Sequence, residues 1–457
     1  MRMTPPFWMP EPPRQILPTE SVLPRGSRSI ATLGMTAILG LTTMLGCTSA
    51  SARDTDTIRL WAMGREGEVV AQLIPDFERA NPGIRVRVQQ IPWSAAHEKL
   101  LTAFVGEATP DIAMLGNTWV PEFVALGALE PLDTMVARSR SLSRADFFPG
   151  AWSTNVVDSV TYGVPWYVDT RVLFYRTDML KAAGFDSVPD TWAAWREAMV
   201  RMKARMGPRQ YPILAPTTEW PPPVVLGLQT GAPLLRDDGK YAWFSDPRFR
   251  RAFDFYVGWF RDGLAPKVSG SEVSNLYQEF ARGNIAMYIS GPWQIGEFGN
   301  RLPPEARGTW MTAPLPGPQG PGVSMAGGAS LVLFRGSSRK ADTWKLVEYL
   351  SRPDVQLRFY ALTGDLPPTR TAWTDTTLAN NRYARAFREQ LERMVPLPKV
   401  PEWEQIATKV FEYGEQAIRG RMTVDSTLTA LDRDVNGLLE KRRWMAEQAG
   451  KARKAGP

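Results

Sequence analysis

Apolar positions along this chain switch repeatedly between two spacings. Ile58 and Leu60 flank Arg59 in the period-two pattern of a short strand. After Gly64 and Gly67 the spacing changes. Val69, Leu73 and Phe77 fall four apart, which predicts one amphipathic helix over 68–81, stopped by Asn81-Pro82-Gly83. Ile84, Val86 and Val88 return to period two. A helix is then predicted over about 95–106, and 111–115 (Asp-Ile-Ala-Met-Leu) reads as a buried strand. Helix-sized segments between short strands predict a largely parallel, doubly wound α/β sheet.

The same alternation continues downstream. Extended stretches are predicted at 160–166 and 172–176, crossing out of a first lobe. Helices are predicted at 190–203, 244–260, 274–282 and 338–350, and strands at 285–289 and 327–333. Trp220-Pro221-Pro222-Pro223 and the Gly/Pro-rich 314–322 read as loops. From about 353 to 446 the pattern is mostly helical, and no repeat of fixed period is visible.

Composition narrows the chemistry. The chain has 457 residues, 44% hydrophobic and 22% charged, a globular balance with room for two sizeable cores. Its net charge of +7 is spread along the chain apart from 441–454, so no nucleic-acid stripe is present. One cysteine and one histidine exclude an internal disulfide and a His/Cys metal cluster, and leave any Ser-His-Asp or Cys-His chemistry to His97 alone. No phosphate-cradling glycine loop is found, and no cofactor or metal is expected. The 17 tryptophans exceed what a core requires and suit a ligand with a flat apolar face.

The first 46 residues read as an address. A Pro-rich stretch over 1–24 precedes Arg25 and Arg28, and an uncharged apolar run over 30–45 is too short for a comfortable membrane span. It ends in Leu45-Gly46-Cys47. This resembles a bacterial lipoprotein signal, with Met44 where Leu is usual and Cys47 as the acylated residue. Residues 47–55 then form a flexible tether.

Five stretches in order resemble the family 1 extracellular solute-binding proteins, the group of the maltose- and trehalose-binding proteins. They are Leu60-Trp61 with Phe77-Glu78-Arg79-Ala80-Asn81-Pro82-Gly83; Thr109-Pro110-Asp111-Ile112 with Trp119; Tyr162-Gly163-Val164-Pro165 through Pro189-Asp190-Thr191-Trp192; Phe280-Ala281-Arg282-Gly283-Asn284 with Gly291-Pro292-Trp293; and Gly327-Gly328 with Leu366-Pro367-Pro368-Thr369-Arg370. The resemblance covers about 56–440. It implies a periplasmic-binding-protein-like α/β fold of two discontinuous lobes joined by a hinge, with the ligand cleft between them. Lobe 1 is expected from 55–165 plus 312–352, and lobe 2 from 166–311 plus 353–446, followed by a basic tail over 447–457. It further implies a monomer outside the cytoplasm, periplasmic or at the cell surface, that delivers a di- or oligosaccharide to an importer's permease, driven by a separate cytoplasmic ATPase.

A sugar needs aromatic platforms for its C–H faces and carboxylates, amides or arginines for its hydroxyls. The ends of strands and the hinge offer Glu66, Asn117, Trp119, Tyr167, Asp169 and Arg171; the resemblance implies ligand contact for several of these, with Tyr167-Val168-Asp169 matching an aromatic-x-Asp motif. The second lobe offers Trp220, Trp293 and, less directly, Trp243. Gly327 and Gly328 would admit backbone amides close to a ligand, and Arg370 matches an arginine that reaches the cleft in trehalose/maltose-type binders. Each has a structural alternative: core packing for the tryptophans, a surface ion pair for Asp169 and Arg171, and a simple turn for the glycines. A glycerol phosphodiester or polyamine binder, a secreted carbohydrate hydrolase and a ligand-free scaffold are the rival readings.

Overall fold

The computed structural model describes residues 57–454 except Ser274; Cys47 and the tether lie outside this range. Strand β1 (Thr57–Met63) buries Ile58, Leu60 and Ala62 on one side while Arg59 stays exposed. It runs parallel to β2 (Arg85–Ile91) and to β3 (Ile112–Gly116). The helix predicted over 68–81 is two. Helix α1 (Gly64–Val70) starts directly at the strand end, and a second helix begins at Ile74 with Pro75 in its first turn. A proline inside one continuous helix would remove a hydrogen bond and clash with the preceding turn, so the chain breaks before it.

Helix α2 (Trp93–Val105) leads to β3, and α3 (Val120–Ala125) follows it. The chain then crosses to a second sheet. Strand β4 (Gly163–Asp169) belongs to the first sheet and β5 (Val172–Arg176) to the second, two residues later. The second sheet adds β6 (Tyr211–Leu214), β7 (Ile285–Ser290) and β8 (Trp310–Ala313), in the order β8-β5-β7-β6. Strand β9 (Ser324–Leu333) returns to the first sheet. It pairs antiparallel with β3 and β4 and parallel with β10 (Met394–Pro396).

Two large apolar cores follow. One lies around β1, β3, Trp152 and Trp166; the other around Trp195, Trp259 and Trp403. A third cluster, with Val168, Val172, Phe174 and Ala326, sits where the sheets meet. Val355 and Phe359 of the helix Pro353–Thr363 pack in the first core, although the sequence reading groups 353–446 with the second lobe. The expected loop at 220–223 is likewise helical. Trp220 is the N-cap of α4 (Pro221–Gln229), whose opening prolines occupy positions where no backbone N–H is needed. Residues 440–454, read as ending in a tail, form a helix. Among the described residues, no helix is long and apolar enough to cross a membrane.

Gly328 pins the crossing. Its φ is +109°, and a Cβ there would stand 2.3 Å from the Tyr167 carbonyl oxygen, so β9 approaches β4 only without a side chain. Gly328→Ala is expected to cost about 2 kcal/mol or more, measured as a lower urea midpoint at unchanged m.

Candidate functional site

The polar residues at the crossing gather into one seam. Glu66, in the first turn of α1, is only 8% exposed. Tyr167 and Trp93 hydrogen-bond its carboxyl, yet burial dominates and raises its pKa. Burial also raises the Tyr167 hydroxyl well above its usual value, helped by the Glu66 charge. Asp365 lies against the same group; burial and the charges of Glu66 and Asp169 push it well above the ordinary carboxylate range.

Asp169 ends β4, and Arg171 follows in the link to β5. Arg171 Nη1 donates to both Asp169 oxygens, at 2.5 and 2.7 Å. Burial raises the Asp169 carboxyl and the Arg171 charge opposes that rise. The guanidinium also stands 4.8 Å from the centre of the Trp293 ring. Gly291 makes this contact possible, because a Cβ there would fall 2.0 Å from Trp293 and 2.7 Å from Arg171. From the loop after β6 comes Glu219, pushed to about 7 by burial against the opposing charge of Arg171. The Tyr288 hydroxyl on β7 reaches it at 3.5 Å. Asp169 and Glu219 thus share one guanidinium, and Asp365 lies within the fields of both Asp169 and Glu66. Because burial penalises charge, each carboxyl either keeps a proton or requires a donor.

Aromatic rings frame the seam. Trp119 meets Trp93 edge-on at 5.6 Å on the first-sheet side, and Trp220 meets Trp403 edge-on at 5.7 Å on the other. Trp119, Trp220 and Trp293 are half-buried.

Of the candidates from sequence, Glu66, Tyr167, Asp169, Arg171 and Trp293 come together here. Asn117 does not. Its side-chain amide donates to the Gly327 carbonyl at 3.1 Å and accepts from Ser330 at 2.9 Å, and its N–H donates to the Gly328 carbonyl, so it fastens β3 to β9. Gly327 and Gly328 correspondingly approach the backbone of β4, pairing with Asp169 and Val168, rather than a ligand. Arg370 is also engaged elsewhere. It forks onto both Glu392 oxygens at 3.1 and 2.7 Å and donates to the carbonyls of Ala145 and Phe147. Trp243 lies under Arg236, beside the turn joining 235–236 to 241–242.

Sequence reading missed Trp93, Glu219, Tyr288 and Asp365. Glu219 was visible only as an acid beside Trp220, itself assigned to a loop. Asp365 follows a helix stop and carries no periodic signal.

A cavity of about 10 Å³, room for one water, is lined by Asn117, Thr118, Pro121, Thr154, Ala326 and Pro396, with Leu397, Pro398 and Lys399 completing its wall. Sites for small organic ligands run to hundreds of cubic ångströms. This cavity is therefore too small for a sugar. Among the described residues no group of His, Cys, Asp and Glu is placed to hold a metal.

Two α/β lobes, crossed by short links and meeting over buried carboxyls and indole rings, define a hinged solute-binding scaffold. Residues 63–357 match the bacterial extracellular solute-binding protein family, and the chain belongs to it. The sugar-binding protein MalE of the phytopathogen Xanthomonas citri is similar at 51% identity, with a TM-score of 0.84, covering 86% of this chain and 99% of that one. The diacetylchitobiose-binding protein DasA of Streptomyces coelicolor is 25% identical over 85% of this chain and 90% of its own. A lipoprotein of Streptomyces antibioticus is 25% identical over 78% and 82% respectively.

Proposed function

We propose that this protein is the extracytoplasmic binding component of an ATP-driven importer and that it carries a neutral di- or oligosaccharide. The single observation behind the ligand class is the seam itself, where Asp169 and Glu219 share Arg171 against the Trp293 ring and the buried carboxyls of Glu66 and Asp365 lie beside them. Carboxyls accept from sugar hydroxyls, rings cover C–H faces, and neither demands charge on the ligand. The resemblance to MalE of X. citri supports the same class. Membership of a family of binding proteins supports capture by lobe closure without bond cleavage. A permease with a separate ATPase is the partner, the protein acts as a monomer, and Cys47 is the lipid anchor, a reading favoured by the similar lipoprotein.

An excess of carboxyls opposes a phosphodiester, which would require clustered cations. It leaves a polyamine as the second reading, because ammonium groups would neutralise the buried acids. A thermal-shift series separates these. Maltose, trehalose or a longer dextrin at 100 times Kd should stabilise the protein by about 2.7 kcal/mol. Stabilisation by spermidine alone, or by glycerol phosphodiesters, would refute the sugar reading. Release of glucose from the bound dextrin would refute capture without chemistry.

A further inference from the structure

The chain has a single histidine, and it sits at a further contact between the lobes, beside Trp119. His97 on α2 bonds through Nε2 to Glu122 Oε2 on α3 at 2.6 Å. Its ring packs edge-on against Trp119 at 5.0 Å and Phe123 at 6.2 Å. The neighbouring Thr118 hydroxyl donates across the lobe boundary to Glu404 Oε1 at 2.5 Å. Glu404 is in the first turn of α5 (Trp403–Ile418), whose Trp403, Ile406 and Val410 belong to the second core. The first lobe therefore presents an imidazole and a carboxyl to a carboxyl of the second.

We propose that His97, Glu122, Thr118 and Glu404 form a proton-operated latch that holds the lobes together when the imidazole is charged and loosens them when it is neutral. The proposal deepens the binding reading above, since lobe closure is what the latch would regulate. With His97 protonated, charges run minus, plus, minus across the boundary, and the imidazolium offsets the mutual repulsion of Glu122 and Glu404. With His97 neutral, those two carboxylates repel each other, and at this contact the Thr118 hydroxyl alone still crosses the boundary.

The charged groups facing His97 are Glu122 from α3, Glu404 from α5 and Glu98 beside it on α2, and the Trp119 and Phe123 rings pack on it. Glu122 is the principal cause of the raised His97 pKa; burial opposes it, and Glu404 and Glu98 add to the rise. Burial raises Glu404, while the Thr118 bond and the His97 charge lower it. The direction follows. Glu122 shares the first lobe with His97 and raises it in both states; only the part of the rise due to Glu404 is added on closure, so it favours closure at low pH and is lost as pH climbs through the closed-state value.

The test uses the full mature chain at pH 6.0 and 8.5. Small-angle X-ray scattering without ligand should show a smaller radius of gyration at pH 6.0. Maltose should bind roughly five-fold tighter at pH 6.0, the lower end of ordinary inter-site coupling. Glu404→Gln keeps an acceptor for Thr118 but removes the charge; it should abolish both pH effects and lower the His97 titration midpoint, read from the Hε1 NMR signal of this single histidine. His97→Gln should show the pH 8.5 behaviour at both pH values. Equal radii at the two pH values in the unmodified protein, or an undiminished pH effect in Glu404→Gln, would overturn the latch. Should maltose bind at neither pH, the sugar assignment fails, while scattering and the histidine signal still judge the latch.

Discussion

Replacing Arg171 by Met is expected to lower stability by about 3 kcal/mol and to abolish sugar binding together. The guanidinium is 15% exposed and is the one cation that both Asp169 and Glu219 feel at the seam. Removing it leaves buried carboxyls facing each other with no counter-charge, and breaking a buried pair from one side is far costlier than losing a surface pair. Asp169→Asn separates the two consequences. The amide keeps the shape and one acceptor, so folding should suffer less, while affinity for maltose should fall roughly 30-fold, as when one partner of a buried, hydrogen-bonded charge pair is truncated. Isothermal titration calorimetry and urea unfolding together report both quantities. Arg171→Met binding maltose as tightly as the unmodified chain would remove Arg171 and Asp169 from the site.

The second large effect is an increase in stability. Glu219 is pushed from the ordinary glutamate value to about 7, with burial the leading cause. A carboxyl whose pKa is raised on folding is held most comfortably at low pH, where both states are protonated. Its contribution is progressively lost between the unfolded value and about 7. Above that the folded chain carries an unfavourable buried charge worth about 3 kcal/mol. Glu219→Gln should therefore raise the urea midpoint at pH 8 and leave it nearly unchanged at pH 4. Sugar affinity should fall in the same variant, because a group kept at a site against its own stability is used by the ligand. A midpoint that responds equally at both pH values would show that Glu219 is not desolvated in the folded protein.

Much of the fold was readable along the chain. The alternation at Ile58 and Leu60 and the four-residue spacing of Val69, Leu73 and Phe77 follow from which faces are buried, and a single chain carries that information locally. Proline misled in both directions. Pro75 divides a helix whose apolar spacing looks continuous, whereas Pro221, Pro222 and Pro223 open a helix that composition reads as a loop. Both outcomes turn on where the residue falls relative to the helix start, which apolar spacing does not record.

The site divides along a similar line. Tyr167, Asp169 and Arg171 are adjacent in the chain, so their clustering at the strand crossing required only that 163–169 and 172–176 enter different sheets. Glu219, Asp365 and Trp93 arrive from segments far apart in sequence, and no local pattern marks them. Arg370 matches a family pattern, yet Glu392 and the carbonyls of Ala145 and Phe147 take its donors. The sequence by itself determined the α/β class, the two-lobed family and the segment that crosses between the sheets, because periodicity and contiguous motifs are properties of neighbouring residues. Only the tertiary structure decided which carboxyls share Arg171 and which polar side chains are spent on holding strands together. Desolvation and pairing depend on what the rest of the chain brings alongside.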